Sequence, residues 1–242
     1  MRLVFNAILS CLLFLGFEGY AHDELPKHKG FIKNCGQWET PVKYKIPVQN
    51  GALFLVEDGF MYSFYDGAAV SAHHARPYSE RIAGPPPPAM INFHAVRMKL
   101  IGATAVQTPV ASDPGTTRYN YFLGKNKTNW ASGLFEYNSV NYDGIYPGID
   151  MKVYTHESGM KYDFVLKSGA AVADIKMKYT GADAVILNNN TLTIKTSLGT
   201  ITEQNPYAYQ IIGDEKRTVS CSFKQFADGS IGFETGEYDH TA

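Results

Sequence analysis

Apolar and polar residues alternate with a period of two along most of this 242-residue chain. The clearest stretch runs from Asp143 to Gly169. Ile149, Met151 and Val153 alternate with Asp150, Lys152 and Tyr154. After His156-Glu157-Ser158-Gly159, Met160, Tyr162, Phe164 and Leu166 alternate with Lys161, Asp163 and Val165. Successive side chains of a strand point to opposite faces, so each run has one apolar face. Two such runs around a short Gly-bearing loop predict a β-hairpin. Pro147-Gly148 ahead of it has type II turn chemistry, with φ preset by Pro and positive φ allowed at Gly.

The same alternation recurs on both sides of the hairpin. Val42, Tyr44 and Ile46 lead to Asn50-Gly51, then Ala52 to Val56, Asp58-Gly59 and Phe60 to Tyr65. Asn-Gly and Asp-Gly are strong two-residue turn signals, so residues 41–65 predict a three-stranded meander. His94 to Leu100, Tyr119 to Gly124, and Phe135 to Tyr142 predict further strands. Beyond residue 174 come Ile175 to Tyr179, Ala184 to Leu187, Leu192 to Thr196, Thr200 to Glu203, Tyr207 to Ile211, Val219 to Phe223 and Ile231 to Phe233.

Two long loops interrupt the series. Residues 66–90 contain Pro85-Pro86-Pro87-Pro88, which cannot donate ladder hydrogen bonds. Residues 103–117 end in Ser112-Asp113-Pro114-Gly115, another turn-like run. No segment keeps a 3.6-residue period over three turns. Many short antiparallel strands with hairpins predict an all-β, sandwich-like fold.

The N-terminus departs from this pattern. Arg2 precedes an apolar run from Leu3 to Phe17, and Gly19-Tyr20-Ala21 places small residues at positions −3 and −1 of a cleavage site. This predicts an export signal over residues 1–21, with His22 first in the mature chain. The run is shorter than the roughly 20 apolar residues of a spanning helix, and no later segment is long and apolar enough to cross a membrane. Residues 22–242 are expected to form a single all-β domain, secreted or at the cell surface. Residues 22–30 are polar and expected to be flexible. The formal net charge of −1 gives no bulk attraction to nucleic acid. Removing the signal leaves Cys35 and Cys221. In an oxidising compartment they are candidates for a disulfide, or they are small core residues.

Candidate chemistry is sparse. His73-His74 is the single histidine cluster, and its spacing is poor for chelation, so no metal site or cofactor is expected. There is no Gly-x-Ser-x-Gly elbow and no phosphate-cradling glycine loop. Asp143, Asp150, Asp163 and Glu203 lie on or near strands and read as solvent-face charge, although a glycosidase would need two converging carboxylates. Tyr119, Tyr121, Trp130, Tyr137 and Tyr142 fall in one region. Exposed rings stack on sugars, whereas strand aromatics more often pack across strands. Tyr119, Tyr121 and Trp130 are the candidate ligand-binding residues. Asn126-Lys127-Thr128 and Asn189-Asn190-Thr191 are formal glycosylation sequons.

Phe31-Ile32-Lys33-Asn34-Cys35-Gly36-Gln37-Trp38 resembles the opening of an N-terminal domain of large exported Bacteroidetes surface proteins. Those proteins carry gliding-motility-associated regions, PKD domains or SBBP repeats. The resemblance continues through Asp58-Gly59-Phe60, His94 to Met98, Asn120 to Gly124, Ile145 to Asp150, Lys161 to Phe164, Tyr179 to Ala182 and Gln204 to Gln210. Cys35 stands where that pattern usually has Lys. The pattern usually continues through a further strand after Tyr238 to Ala242, so the chain is either a shortened product or a module that stands alone. The resemblance implies an all-β module of secreted or surface proteins, with no activity to carry over. The leading expectation is a non-catalytic module, structural or of adhesion type; its partner is unknown, with surface glycans or other cell-surface proteins as candidates. The alternatives are a carbohydrate-binding module and a glycan hydrolase with an unrecognised carboxylate pair.

Overall fold

The computed structural model describes residues 7–16, 30–74, 90–104, 108–156 and 159–240. Strand β1 spans Ala7–Gly16, β2 Phe31–Lys33, β3 Tyr44–Val48, β4 Gly51–Val56 and β5 Gly59–Tyr65. Helix α1 (Gly67–His74) precedes β6 (Phe93–Leu100), β7 (Val110–Phe122), β8 (Trp130–Tyr146), β9 (Ile149–His156) and β10 (Gly159–Leu166). Eight short strands complete the described chain: β11 (Met177–Thr180), β12 (Ala184–Asn188), β13 (Thr191–Thr196), β14 (Gly199–Glu203), β15 (Tyr207–Ile212), β16 (Glu215–Val219), β17 (Cys221–Gln225) and β18 (Ile231–Thr235).

These strands form an all-β, sandwich-like fold of antiparallel pairs. One layer runs β3-β4-β5-β6-β11, and β11 meets β18 at Met177↔Ile231. The other runs β8-β9-β10-β1, and β1 then pairs with both β14 and β15. Short β2 joins the layers by pairing with β3 on one side and β8 on the other. Aromatic contacts close the space between them. The Phe60 and Tyr162 rings lie 5.7 Å apart, and those of Phe164 and Phe233 6.1 Å apart. The Tyr142 hydroxyl donates to the Val56 carbonyl at 2.9 Å.

The hairpin expected from Ile149 to Leu166 forms as β9 and β10, paired from Gly159↔His156 to Leu166↔Ile149. Ile149, Met151, Val153, Met160, Tyr162, Phe164 and Leu166 are all buried. The expected meander forms as β3-β4-β5, with Asn50 at φ 52° in its first turn. Alternation set these elements because one apolar face had to meet the opposite layer.

Two segments differ from the sequence-based expectation, and a third forms an element for which it gave none. Within the expected loop 66–90, residues 67–74 form α1. Asp66 Oδ1 accepts from the Ala69 N–H at 3.0 Å, an N-cap on an Ala-rich run with high helix propensity. Residues 75–89, including the four prolines, lie outside the described residues. The second expected loop is largely strand: β7 begins at Val110 and runs through Asp113-Pro114-Gly115. Its pairing with β8 shifts register between Pro114 and Arg118, and Asp113 sits at φ 57°. A bulge of this kind admits a Pro and a left-handed residue into a ladder. Finally, residues 7–16 of the expected export signal form β1, inserted between β10 and β14/β15. The cleavage site at Gly19 to Ala21 and the polar residues 22–29 lie outside the described residues.

Candidate functional site

The longest pairing in the fold is the β7–β8 hairpin, and the candidate aromatic residues lie on it. From Ser139 to Tyr146, β8 pairs with β9. Further out, Glu136 and Tyr137 meet β2. Beyond them, from Phe135 to Trp130, β8 pairs with β7 alone among the described residues. The tip is a 3₁₀ turn, Lys127–Asn129, capped by Asn126, whose side chain accepts from the Thr128 N–H at 3.1 Å.

The hairpin separates the three candidate residues. Tyr119 is half-buried and donates its hydroxyl to Glu136 Oε2 at 3.1 Å. Tyr121 packs edge-on against Trp38, with ring centroids 5.0 Å apart. Both phenols are shifted upward, chiefly by burial and, for Tyr119, also by the Glu136 carboxylate. Tyr119 thus braces the two strands of the hairpin, while Tyr121 packs the hairpin onto the 34–38 turn, where Asn34 Oδ1 accepts from the N–H groups of Gly36 and Trp38.

Trp130 is paired with Phe122 in the ladder, while Tyr121 is paired with Ala131. Neighbouring positions on a strand face opposite ways, so Trp130 and Phe122 share the face away from Tyr121. Their rings meet at 5.4 Å and 78°, edge to face, and their relative exposures are 39% and 62%. Lys127 Nζ lies 5.8 Å from the Trp130 ring centre, and Leu123, next in sequence to Phe122, is also exposed. The result is an exposed apolar ridge with a cation on it. Tyr119 and Tyr121 have the opposite strand parity to Trp130, so the three candidate rings do not share one face of the hairpin. Phe122 and Leu123 were not singled out from the sequence. The opposite strand parity of Phe122 and Tyr121 was the signal that separates them.

A polar cleft of about 230 Å³ opens at the base of the same hairpin, on the outer face of β8, β9 and β10. Asp113, Ser139, Lys152, Tyr154 and Asp163 line it. Ser139 Oγ donates to Asp113 Oδ2 at 2.9 Å, and the Tyr154 hydroxyl donates to Asp163 Oδ1 at 3.2 Å. Both carboxylates are therefore held by neighbouring hydroxyls. A cleft with this lining offers donors and acceptors to a polar ligand.

Two other carboxylates serve the backbone and the core. Asp150 accepts from the Gly144 N–H at 2.6 Å and from Lys167 Nζ, which closes the turn between β8 and β9. Glu203 overturns the solvent-face reading, because it is fully buried. It accepts from the Tyr162 hydroxyl at 2.6 Å and from the Tyr179 hydroxyl. Burial pushes its carboxyl upward, and the two tyrosine hydrogen bonds oppose that shift. Tyr62 is buried near this charge, and its hydroxyl has no partner among the described residues. Glu203 follows Ile201 by two residues, so strand parity already placed it inward.

The candidate disulfide is not formed. Cys35 is an exposed free thiol in the 34–38 turn, and Cys221 is a free, half-buried thiol on β17. Burial pushes the Cys221 thiol up to about 12, so it stays protonated at neutral pH and acts as a small core residue. Among the described residues no group of three His, Cys, Asp or Glu side chains is arranged to hold a metal ion. No helix among the described residues is long and apolar enough to cross a membrane.

Fold and site together define a two-layered antiparallel β-module with a long aromatic hairpin and a polar cleft at its base. The chain belongs to a family described as a domain of unknown function, DUF7948, whose model matches residues 31–242. No curated protein and no solved structure matches it.

Proposed function

We propose that this chain is a non-catalytic, exported module of structural or adhesion type that makes contact through the outer half of its β7–β8 hairpin. The carrying observation is the exposed ring pair Phe122 and Trp130, with Lys127 beside it and exposed Leu123 next along the chain. Exposed aromatic clusters flanked by polar groups mark interaction sites, and Trp is among the residues that dominate binding energy. The edge-on packing of Phe122 and Trp130 favours a protein surface over a stacked sugar ring. The leader-like residues 1–21 support export, and the resemblance to N-terminal domains of Bacteroidetes surface proteins supports a place at the cell surface. Protein from an exporting cell is expected to begin at His22, read by mass spectrometry.

Carbohydrate binding is the second reading, favoured by the polar cleft of Asp113, Ser139, Lys152, Tyr154 and Asp163. The chain has two tryptophans, Trp38 and Trp130, and both report on the hairpin. Adhesion of the purified protein to cells that display its surface partner is expected to saturate. The triple variant F122A/L123A/W130A is expected to bind at least ~30-fold more weakly, as loss of a central aromatic anchor implies. Unchanged adhesion by that variant excludes the ridge. A saturable tryptophan-fluorescence change with a purified polysaccharide selects the carbohydrate reading, and release of reducing ends from that polysaccharide overturns the non-catalytic one.

A further inference from the structure

We infer that the gap between β10 and β14/β15 is an acceptor slot for a donated strand, occupied in the precursor by the chain's own leader and, after export, by an extended apolar segment of another polypeptide. The inference rests on the export reading for its second half and on the strand pairing alone for its first.

The pairing is two-sided. Ala7–Leu13 of β1 lie antiparallel to β10, in register from Ala7↔Leu166 to Leu13↔Met160. On the other side Ala7–Ser10 pair with β15, and Leu13–Gly16 with β14. The remaining neighbours of those strands are β9, β16 and β13 respectively. Among the described residues β1 is therefore the single element joining β10 to β14 and β15 in the ladder. Removing residues 1–21 opens all three edges at once. Those edges border buried Tyr162, Phe164, Leu166, Ile201 and Ala208.

Unpaired backbone groups on both sides of an apolar gap are satisfied by one thing, a strand inserted lengthwise. Main-chain hydrogen bonds give such a strand its affinity, and side-chain pockets give it selectivity. The present occupant states the chemistry required. Ala7–Gly16 is AILSCLLFLG, with no charge and no proline. A second copy of the sandwich cannot supply this segment from a strand already paired in its own layers. The donor is therefore a segment lying outside a folded sandwich, extended and uncharged over about ten residues, and antiparallel to β10.

The test uses the full chain, made in the cytoplasm so that the leader is retained, with a specific protease site inserted within residues 17–29. After cleavage the leader fragment is expected to co-elute with the body on gel filtration. A dye-labelled peptide of the Ala7–Gly16 sequence, flanked by lysines for solubility, is expected to displace it in mild urea. The same peptide carrying L9P and L12P is expected not to compete, because each proline removes a ladder donor. Stripping the fragment is expected to lower Tm by about 5–10 °C, and saturating peptide to restore it. Immediate release of the fragment with unchanged Tm, or equal competition by the proline peptide, overturns the slot. Exported protein that still begins at Met1 leaves the slot result standing and overturns the exchange of occupant. Exported protein that begins at His22 and binds the unsubstituted peptide supports both halves.

Discussion

Replacing Glu203 with Ala is expected to destabilise the fold by about 3–5 kcal/mol, measured by urea denaturation. Two phenolic hydroxyls, those of Tyr162 and Tyr179, donate to this carboxylate inside the core. Without it both donors lose this charged acceptor, and Tyr162 keeps the weaker contact to Met177 Sδ at 3.4 Å. Glu203→Gln is expected to cost less, because its amide oxygen still accepts. The pair of variants also yields a pH signature. Burial raises the folded-state value of Glu203 above its ordinary 4.5, despite the opposing hydrogen bonds. The stability linked to holding that proton is fully present below the ordinary value. It is lost as pH rises through the folded-state value. The stability of the wild type relative to Glu203→Gln is therefore expected to fall as pH is raised from about 4.5 towards neutrality. A difference that is flat over that window and falls as pH drops below it would show that the hydrogen bonds outweigh burial.

Phe164→Ala is the second large effect, expected at about 3–5 kcal/mol. Phe164 is fully buried on β10. Its ring lies 5.8 Å from that of Tyr162 and 6.1 Å from that of Phe233 on the opposite layer. Truncation leaves a cavity at the junction of the two layers, where the paired β9–β10 ladder limits collapse. Lys161→Ala, on the other face of the same strand, is expected to stay within about ±0.5 kcal/mol. Equal denaturation midpoints for the two variants would show that the facing of β10 is inverted.

The contrast between these residues shows what was legible in the sequence. The β9–β10 hairpin could be read directly, because Met160 to Leu166 carries its apolar residues on one parity without interruption. Glu203 was legible in the same way through Ile201, but its charge suggested solvent when its position pointed inward. The first part of β7 was hidden because Ser112-Asp113-Pro114-Gly115 has turn chemistry, and its partner on β8 is distant in sequence; its end, from Tyr119, was read as a strand. Local chemistry cannot reveal that a bulged ladder will absorb a proline. Helix α1 was hidden by its brevity, since eight residues give too few turns for a period to emerge. At the hairpin, the aromatic cluster was visible as a region. Its division into an anchoring face and an exposed face depends on the register of Tyr121 with Ala131 and of Phe122 with Trp130, which only the pairing supplies.

Strand β8 pairs with β7 along its outer and inner parts, and on its other side passes from β2 to β9. It is thus the spine of its own layer, and through β2 its link to the other. No nick within Leu134 to Tyr146 can divide the protein into two self-sufficient halves, because each half would take part of the other's ladder with it. For the same reason a mechanical load on the β7–β8 tip passes along the backbone of β8 into its own layer and, through β2, into the other. Under tension, a contact made at the tip would be borne by the whole sandwich in shear, and not by a single peeling edge.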